Sequence, residues 1–298
     1  MYRGRFAPSP TGPLHFGSLI AAVASYLDAK SHHGRWLLRI EDLDSPRTVA
    51  GASDAILNSL EAFGFEWDED VVYQSQRTDL YEKYLDILKS DDLVYPCTCS
   101  RKEIADSAIQ GIDGAIYPGT CRHGPAKDKQ ARAWRVRTYP ETITFEDAVQ
   151  GHIEQNIAED IGDFVLKRAD GLFAYQLAVV VDDAEQDITD VVRGADLLDS
   201  TPRQIYLQRL LALPTPKYLH VPVASNAAGE KLSKQTLAEA IDPRHANTQL
   251  WIALDFLGQS PPIDLQRRSL QDLWSWAASH WQVSTINKKR LKANDPRY

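Results

Sequence analysis

Arg5-Phe6-Ala7-Pro8-Ser9-Pro10-Thr11-Gly12-Pro13-Leu14-His15-Phe16-Gly17-Ser18 is the stretch on which the reading of this chain turns. Residues 2–6 read as a short strand, which the prolines and Gly12 bring to a stop. From residue 14 an Ala- and Leu-rich run continues to residue 30 and predicts a helix. A strand that passes through a Pro/Gly turn into a helix places unpaired amide N–H groups and a partial positive charge at one spot, which suits phosphate. His15 falls in the first turn, where it can bond a phosphate oxygen, and Gly17 leaves room for a flat ring against the backbone. Taken alone, the same pattern describes the capped first helix of any Rossmann-like sheet.

The surrounding chain extends the strand–helix alternation. Gly34 closes the helix and residues 35–40 read as a second strand. Residues 47–63 are helical, with Ala52, Ile56, Leu60 and Phe63 apolar, and residues 77–89 form another helix. Such alternation implies βαβ units and a parallel sheet. The stretch 94–181 is different: it carries the cysteines, scattered Gly and Pro, and short strand-like pieces. Within it, Asp170-Gly171 predicts a hairpin turn between strands at 164–168 and 172–181. Alternation resumes with a strand at 188–192, a helix at 201–213, a strand at 218–224 and a turn at 226–229, and helices such as 247–257 and 269–278 follow. The expected fold is therefore α/β, a Rossmann-like doubly wound parallel sheet. Residues 1–93 form its first half, 94–187 an insertion, 188–236 its second half, and 237–298 a small helical C-terminal region. There is no internal repeat or low-complexity tract.

The 298 residues, 43% of them hydrophobic, suffice for a sizeable core and about two domains. A net charge of -8 sets no general expectation of nucleic-acid binding, so a polyanionic partner needs local basic patches. The clearest is Lys288, Lys289, Arg290 and Lys292, which reads equally as a solvated, frayed tail. The longest strongly apolar run, 177–181, falls far short of the roughly 18 residues a membrane span needs. With no signal-peptide pattern either, a cytoplasmic protein without a membrane partner is expected. Cys97, Cys99 and Cys121 are odd in number and clustered, which argues against a disulfide framework and admits metal binding.

A second segment, Lys231-Leu232-Ser233-Lys234-Gln235, follows a strand and a Gly-containing turn. Two lysines three apart on a loop can place ammonium groups on a transferring phosphate, although a charged loop by itself is usually solvated surface. Together, Leu14-His15-Phe16-Gly17-Ser18 and this lysine segment resemble the two ATP motifs of class I aminoacyl-tRNA synthetases. The Arg-x-Ala-Pro-Ser-Pro-Thr-Gly stretch and Arg39-Ile40-Glu41-Asp42-Leu43-Asp44 resemble glutamyl-tRNA synthetases specifically, and the likeness runs from residue 3 to about 236. Ser18 stands where the family has a second His or Asn, and Gln235 where it has a final Ser. Ser18 still offers a hydrogen bond, so a changed contact is expected, with activity kept.

The resemblance implies ATP, with Mg2+, held by Pro8, Gly12, His15, Gly17 and Ser18 and by Lys231, Leu232, Ser233, Lys234 and Gln235. His15, Lys231 and Lys234 would stabilise the reacting phosphates. A glutamate pocket needs Arg for a carboxylate, whose fork gives bidentate contacts, and an acid or aromatic group for the ammonium. Arg5, Ser9, Glu41, Tyr175 and Arg193 are candidates at strand ends near the switch point of the sheet. By resemblance, Phe6, Ala7 and Pro8 line the same pocket, Arg5 and Arg193 serve carboxylates, and Glu41 and Tyr175 hold the ammonium. Cys97-x-Cys99 and Tyr117-x-x-x-Cys121 supply three thiols and a phenol; tetrahedral zinc wants four such ligands, and His123 is an alternative fourth. The spacing resembles the zinc site of glutamyl-tRNA synthetases and their short relatives, which implies one structural Zn2+.

About sixty residues follow Gln235, too few for an anticodon-binding domain of ~100 residues or more. This resembles a short paralogous family, the glutamyl-queuosine tRNA(Asp) synthetases. The resemblance implies that L-glutamate is activated without tRNA and attached to queuosine in the anticodon loop of tRNA(Asp); a monomer is expected. The alternative is a compact glutamyl-tRNA synthetase charging a tRNA 3′ end. A non-enzymatic binding module fits poorly with intact His15, Lys234, Arg5 and Glu41. A related nucleotidyl transferase leaves the Arg-x-Ala-Pro-Ser-Pro-Thr-Gly stretch and the cysteines unexplained.

Overall fold

A computed structural model describes residues 1–105, 109–111, 114–124, 131, 133–225 and 240–293 of the chain. Strand β1 (Arg3–Phe6) leads through the Pro/Gly turn to helix α1 (Phe16–Ser31), then strand β2 (Arg35–Ile40), helix α2 (Ala52–Ala62), strand β3 (Val72–Tyr73) and helix α3 (Thr78–Ser90). The middle of the chain contains β4 (Val94–Cys97), α4 (Arg101–Ala105), β5 (Ile109–Gly111), β6 (Gly114–Ile116), β7 (Ala133–Val136), β8 (Thr142–Asp147), β9 (Gly151–Asn156) and β10 (Val165–Lys167). Helix α5 (Tyr175–Glu185), β11 (Asp190–Gly194), α6 (Thr201–Leu210), β12 (Lys217–Val221), β13 (Val223–Ser225), α7 (Ala246–Phe256), α8 (Leu270–His280) and β14 (Leu291–Ala293) complete it.

The pairs β1–β2, β2–β3 and β11–β12 are all parallel. The Thr189 N–H, just before β11, donates to the Arg3 carbonyl at 3.0 Å, and the Arg3 N–H donates to Thr189 Oγ1 at 2.9 Å. These bonds set β11 beside β1 and give the order β3-β2-β1-β11-β12, which reverses direction of travel between β1 and β11. In such sheets ligands bind outside the carboxyl ends of the strands at that reversal. Beyond β12 the β8–β9 hairpin continues the sheet, joined by the parallel pair Tyr218↔Asp147.

Side-chain alternation explains why helices cover both faces. In β2, Trp36, Leu38 and Ile40 join one core with α1, α2, α7 and α8, while Leu37 joins another with α3, α5 and α6. All of β2 after Arg35 is buried, as expected for a central parallel strand. Helix α1 buries Leu19, Ile20, Ala22, Val23, Ala24, Leu27 and Ala29, nearly its whole circumference, because α7 and α8 pack over the side turned away from the sheet. A Cβ at Gly34 would lie 2.6 Å from the Tyr2 carbonyl oxygen, so only glycine lets the chain enter β2 at this point.

Two expectations need correction. The stretch expected as a strand over 172–181 is extended only as far as Ala174 and then becomes α5. The turn itself is present: Arg168 N–H donates to the Leu172 carbonyl at 2.8 Å and Gly171 N–H to the Arg168 carbonyl at 3.1 Å. A short, fully buried apolar run does not distinguish strand from helix by periodicity. Beyond residue 237 only helices were expected, yet Leu291–Ala293 pairs in parallel with β13. Among the described residues no helix is long and apolar enough to cross a membrane.

Candidate active site

A cleft of about 790 Å³ opens at the carboxyl ends of β1, β2 and β11, within the range usual for small-molecule sites. Arg5, Phe6, Ala7, Pro8, Ser9, His15, Gly17, Ser18, Glu41, Tyr175 and Arg193 all line it, so residues far apart in sequence meet on one surface. Gly12 is not in the wall; it sits in the turn between β1 and α1 with φ 133°, a conformation that favours glycine. His15 is the N-cap of α1 and not a residue of its first turn. The Ser18 N–H donates to His15 Nδ1 at 3.3 Å, and Ser18 Oγ lies 3.3 Å from Nε2. No acidic residue occupies the first turn, so the partial positive charge of this helix end faces the cleft uncancelled.

Lys231, Leu232, Ser233, Lys234 and Gln235 lie outside the described residues. The nearest described residues are Ser225 before them and Ala240 after them. Val223 in β13 forms part of the cleft wall, and Ala240 makes an antiparallel bridge with His15, with the Ile241 N–H donating to the Leu14 carbonyl at 2.9 Å.

The charged groups of the cleft fall into two sets. In the first, Arg5 grips Asp183 through Nε (3.0 Å) and Nη2 (3.3 Å), while Arg39 Nη2 reaches the same carboxylate at 2.7 Å. Burial alone would raise the Asp183 pKa, but Arg5 and Arg39 outweigh it and hold it below its ordinary value. Glu41 shares this neighbourhood without a hydrogen bond to its buried Oε1, the nearest guanidinium nitrogen of Arg39 being 3.6 Å away. Burial pushes its pKa up to about 7 against the opposing pull of Arg39 and Arg5. A buried carboxylate oxygen with no donor, in the wall of a cleft, is a seat for a cation.

In the second set, Arg193 is 5% exposed and, among the described residues, hydrogen-bonds to neutral groups alone. Its Nε donates to His220 Nε2 at 3.0 Å, Nη1 to Tyr175 Oη at 3.2 Å, and Nη2 to Thr201 Oγ1 at 2.9 Å and Gln204 Oε1 at 2.8 Å. A buried guanidinium without a carboxylate partner is costly unless an anion completes it. The described cleft thus pairs an anion seat at Arg193 with a cation seat at Glu41. Sequence reasoning identified Arg193, Tyr175, Arg5 and Glu41, but not Asp183, Asp147, His220, Thr201 or Gln204. Their one signal was polarity out of place: His220 inside a buried strand, and Asp183 in the Asp182-Asp183 pair that follows the apolar run of α5.

The cysteine cluster forms a separate group. The sulfurs of Cys97, Cys99 and Cys121 lie within 4.8 Å of one another, and the Tyr117 hydroxyl stands 3.5 Å from Cys97 Sγ and 3.3 Å from Cys99 Sγ. Zn–S bonds of about 2.3 Å give a tetrahedron with edges of about 3.8 Å, so three thiols and a phenol fit a closed four-ligand site. The Arg135 guanidinium stacks on the Tyr117 ring, 3.9 Å from its centroid. None of the four residues lines the cleft. The basic C-terminal patch is partly committed within the protein: Arg290 pairs with Asp199 at 3.0 and 3.1 Å, and Lys292 bonds the Phe256 carbonyl, leaving Lys288 and Lys289 exposed.

The family described as "tRNA synthetases class I (E and Q), catalytic domain" matches residues 1–249. The glutamyl-Q tRNA(Asp) synthetase of Dechloromonas aromatica is 59% identical over 97% of this chain and 97% of its own. That of Chromobacterium violaceum is 58% identical over 96% of this chain and 95% of its own. In fold, the chain is similar to a glutamate-tRNA synthetase from Elizabethkingia anophelis, with a TM-score of 0.81 at 23% identity, covering 99% of this chain and 68% of that one. Sequence and architecture agree: the chain belongs to the class I glutamyl and glutaminyl tRNA synthetase family, within its glutamyl-Q tRNA(Asp) synthetase branch.

Proposed function

We propose that this enzyme activates L-glutamate with ATP, without tRNA, and then transfers the glutamyl group to queuosine in the anticodon loop of tRNA(Asp). The observation that carries the first step is the pairing of a buried Arg193, which has no carboxylate partner among the described residues, with a Glu41 Oε1 that has no hydrogen bond, in one cleft beside the N-terminus of α1. Glutamate fits with its side-chain carboxylate on Arg193 and Tyr175 and its ammonium on Glu41. Arg5 is largely engaged by Asp183, which makes it the secondary anion contact. The α-carboxylate then faces the helix end where His15, Gly17 and Ser18 receive the triphosphate.

A carboxylate oxygen attacks the α-phosphorus, the bond to the bridging oxygen breaks, and pyrophosphate leaves. Such a step needs alignment and charge stabilisation more than covalent help. Mg2+, which class I synthetases use with ATP, would accompany the triphosphate and offset part of its charge. His15 and Lys234, supported by Lys231, are assigned to the leaving phosphates; the anchoring of Ala240 on His15 supports their convergence. In the second step a hydroxyl of the queuosine ring attacks the glutamyl carbonyl, AMP departs, and a proton is released. The mixed anhydride is already reactive. Cys97, Cys99, Tyr117 and Cys121 are the residues that would hold one Zn2+, which would cross-link the chain between β4 and β7.

The names of the closely similar relatives support the acceptor assignment. The test is transfer of radioactive glutamate to tRNA(Asp) with and without queuosine, followed by mapping of the labelled nucleotide. The reading requires label on queuosine alone. Label on unmodified tRNA, or at the 3′ end, refutes it and selects a compact glutamyl-tRNA synthetase.

A further inference from the structure

We propose that Asp147 and His220 are positioning residues that lock the Arg193 guanidinium into a seat made of donors alone, and that this lock sets the preference for a carboxylate over a carboxamide side chain. The inference rests on the reading of Arg193 as the side-chain carboxylate contact.

The lock is a chain of buried polar groups. Asp147, at the end of β8, is 4% exposed and His220, on β12, is fully buried. Asp147 Oδ2 stands 2.6 Å from His220 Nδ1. Its Oδ1 accepts from the N–H groups of Val149 (3.0 Å), Gln150 (2.8 Å) and His220 (3.2 Å). The carboxylate therefore cannot turn, and it demands the proton on Nδ1. Nε2 is left as an acceptor, and at 3.0 Å it takes the Nε–H of Arg193. Burial, helped by the nearby Arg193 charge, lowers the His220 pKa to about 4, which agrees with a neutral ring.

The consequence is geometric. Arg193 has five N–H groups. Four have the protein acceptors His220, Tyr175, Thr201 and Gln204, and the fifth, on Nη1, remains for the cleft. Tyr175 Oη accepts from Arg193, so its own O–H is free to donate. A carboxylate satisfies both donors; the NH2 of a carboxamide meets donors only and leaves buried groups unpaired, the circumstance in which sites discriminate strongly. The sheet supplies the carboxylate from an unexpected place, because β8 belongs to the stretch between the two halves of the sheet and reaches β12 through the pair Tyr218↔Asp147.

Asp147→Asn tests the lock with little change of shape. With its oxygen kept on the three amides, the new NH2 donates to Nδ1, the imidazole proton moves to Nε2, and an N–H then confronts the Arg193 Nε–H. In glutamate-dependent ATP–pyrophosphate exchange, the KM for glutamate should rise about tenfold or more with the KM for ATP within about twofold, and the advantage of glutamate over glutamine should shrink by a similar factor. His220→Ala should behave alike, and His220→Gln, which can return an oxygen to Arg193, should recover most of the affinity. The imidazole 15N shifts of the unmodified enzyme report the proton directly. A proton on Nε2 overturns the proposal, as does an unchanged glutamate KM in Asp147→Asn and His220→Ala. A wild-type enzyme with no glutamate-dependent exchange at all would instead sink the proposed function.

Discussion

Glu41 illustrates how far a single residue was legible. Its place in Arg39-Ile40-Glu41-Asp42-Leu43-Asp44 marked it as an ammonium contact, but its energetic state depends on groups distant in sequence. Burial raises its pKa to about 7, and Arg39 and Arg5 pull against that shift. A carboxyl whose folded pKa is raised stabilises the fold most below its unfolded pKa, and that contribution is lost as pH rises through about 7. Glu41→Gln should therefore raise the melting temperature at pH 8, with the gap closing toward pH 4, while raising the KM for glutamate about tenfold or more. Scanning calorimetry at the two pH values and pyrophosphate exchange check both halves. A variant that is no more stable than wild type at pH 8 removes the idea of a strained carboxylate. For the unmodified enzyme the same protonation predicts a rising glutamate KM as pH falls from 8 to 6. Arg193 was equally visible, but Asp147 and His220 were not, since no motif connects residues 73 positions apart.

At the level of elements, the first βαβ unit could be read because its periodicities, Pro/Gly turn and glycine punctuation all agreed. Helix α5 could not, because Leu177, Ala178, Val179, Val180 and Val181 favour a strand locally while packing makes them a helix buried all round. Two consecutive carboxylates, Asp182 and Asp183, then point at Arg77, Arg39 and Arg5 and hold α5 against the sheet. The grouping of the three cysteines was read from their spacing, which is enough when the residues are close in sequence. About one zinc per chain is expected from elemental analysis. Cys97→Ala should lose it and lower the melting temperature by about 5 °C or more, with the glutamate KM within about twofold, because none of the four residues lines the cleft. Retained zinc in that variant would reject the ligand set. The lysine segment falls, in sequence, between Val223 in the cleft wall and Ala240, which is bridged to His15. Lys234→Ala should cut pyrophosphate exchange about a hundredfold, since a comparable charge contact contributes about 3 kcal/mol. An unchanged rate would free Lys234 from the phosphates.

For the whole molecule the question is what must be present before chemistry can start. The reversal of strand order between β1 and β11 brings Arg5, Glu41 and the α1 N-terminus within reach of Arg193 using this chain's own elements. Arg193 is already oriented by His220, Thr201 and Gln204, and Glu41 Oε1 has no hydrogen bond, its ion pair with Arg39 spanning 3.6 Å, so both ends of the proposed glutamate seat exist without a nucleic acid. A preformed seat has little ordering left for tRNA to induce. Glutamate and ATP alone should therefore support pyrophosphate exchange, and unmodified tRNA should change the rate less than about twofold. The competing expectation follows from induced fit, in which acceptor binding assembles the site. Exchange that appears only when tRNA is added would mean that this cleft is incomplete as folded, and would return the chain to the tRNA-dependent mode of a compact glutamyl-tRNA synthetase.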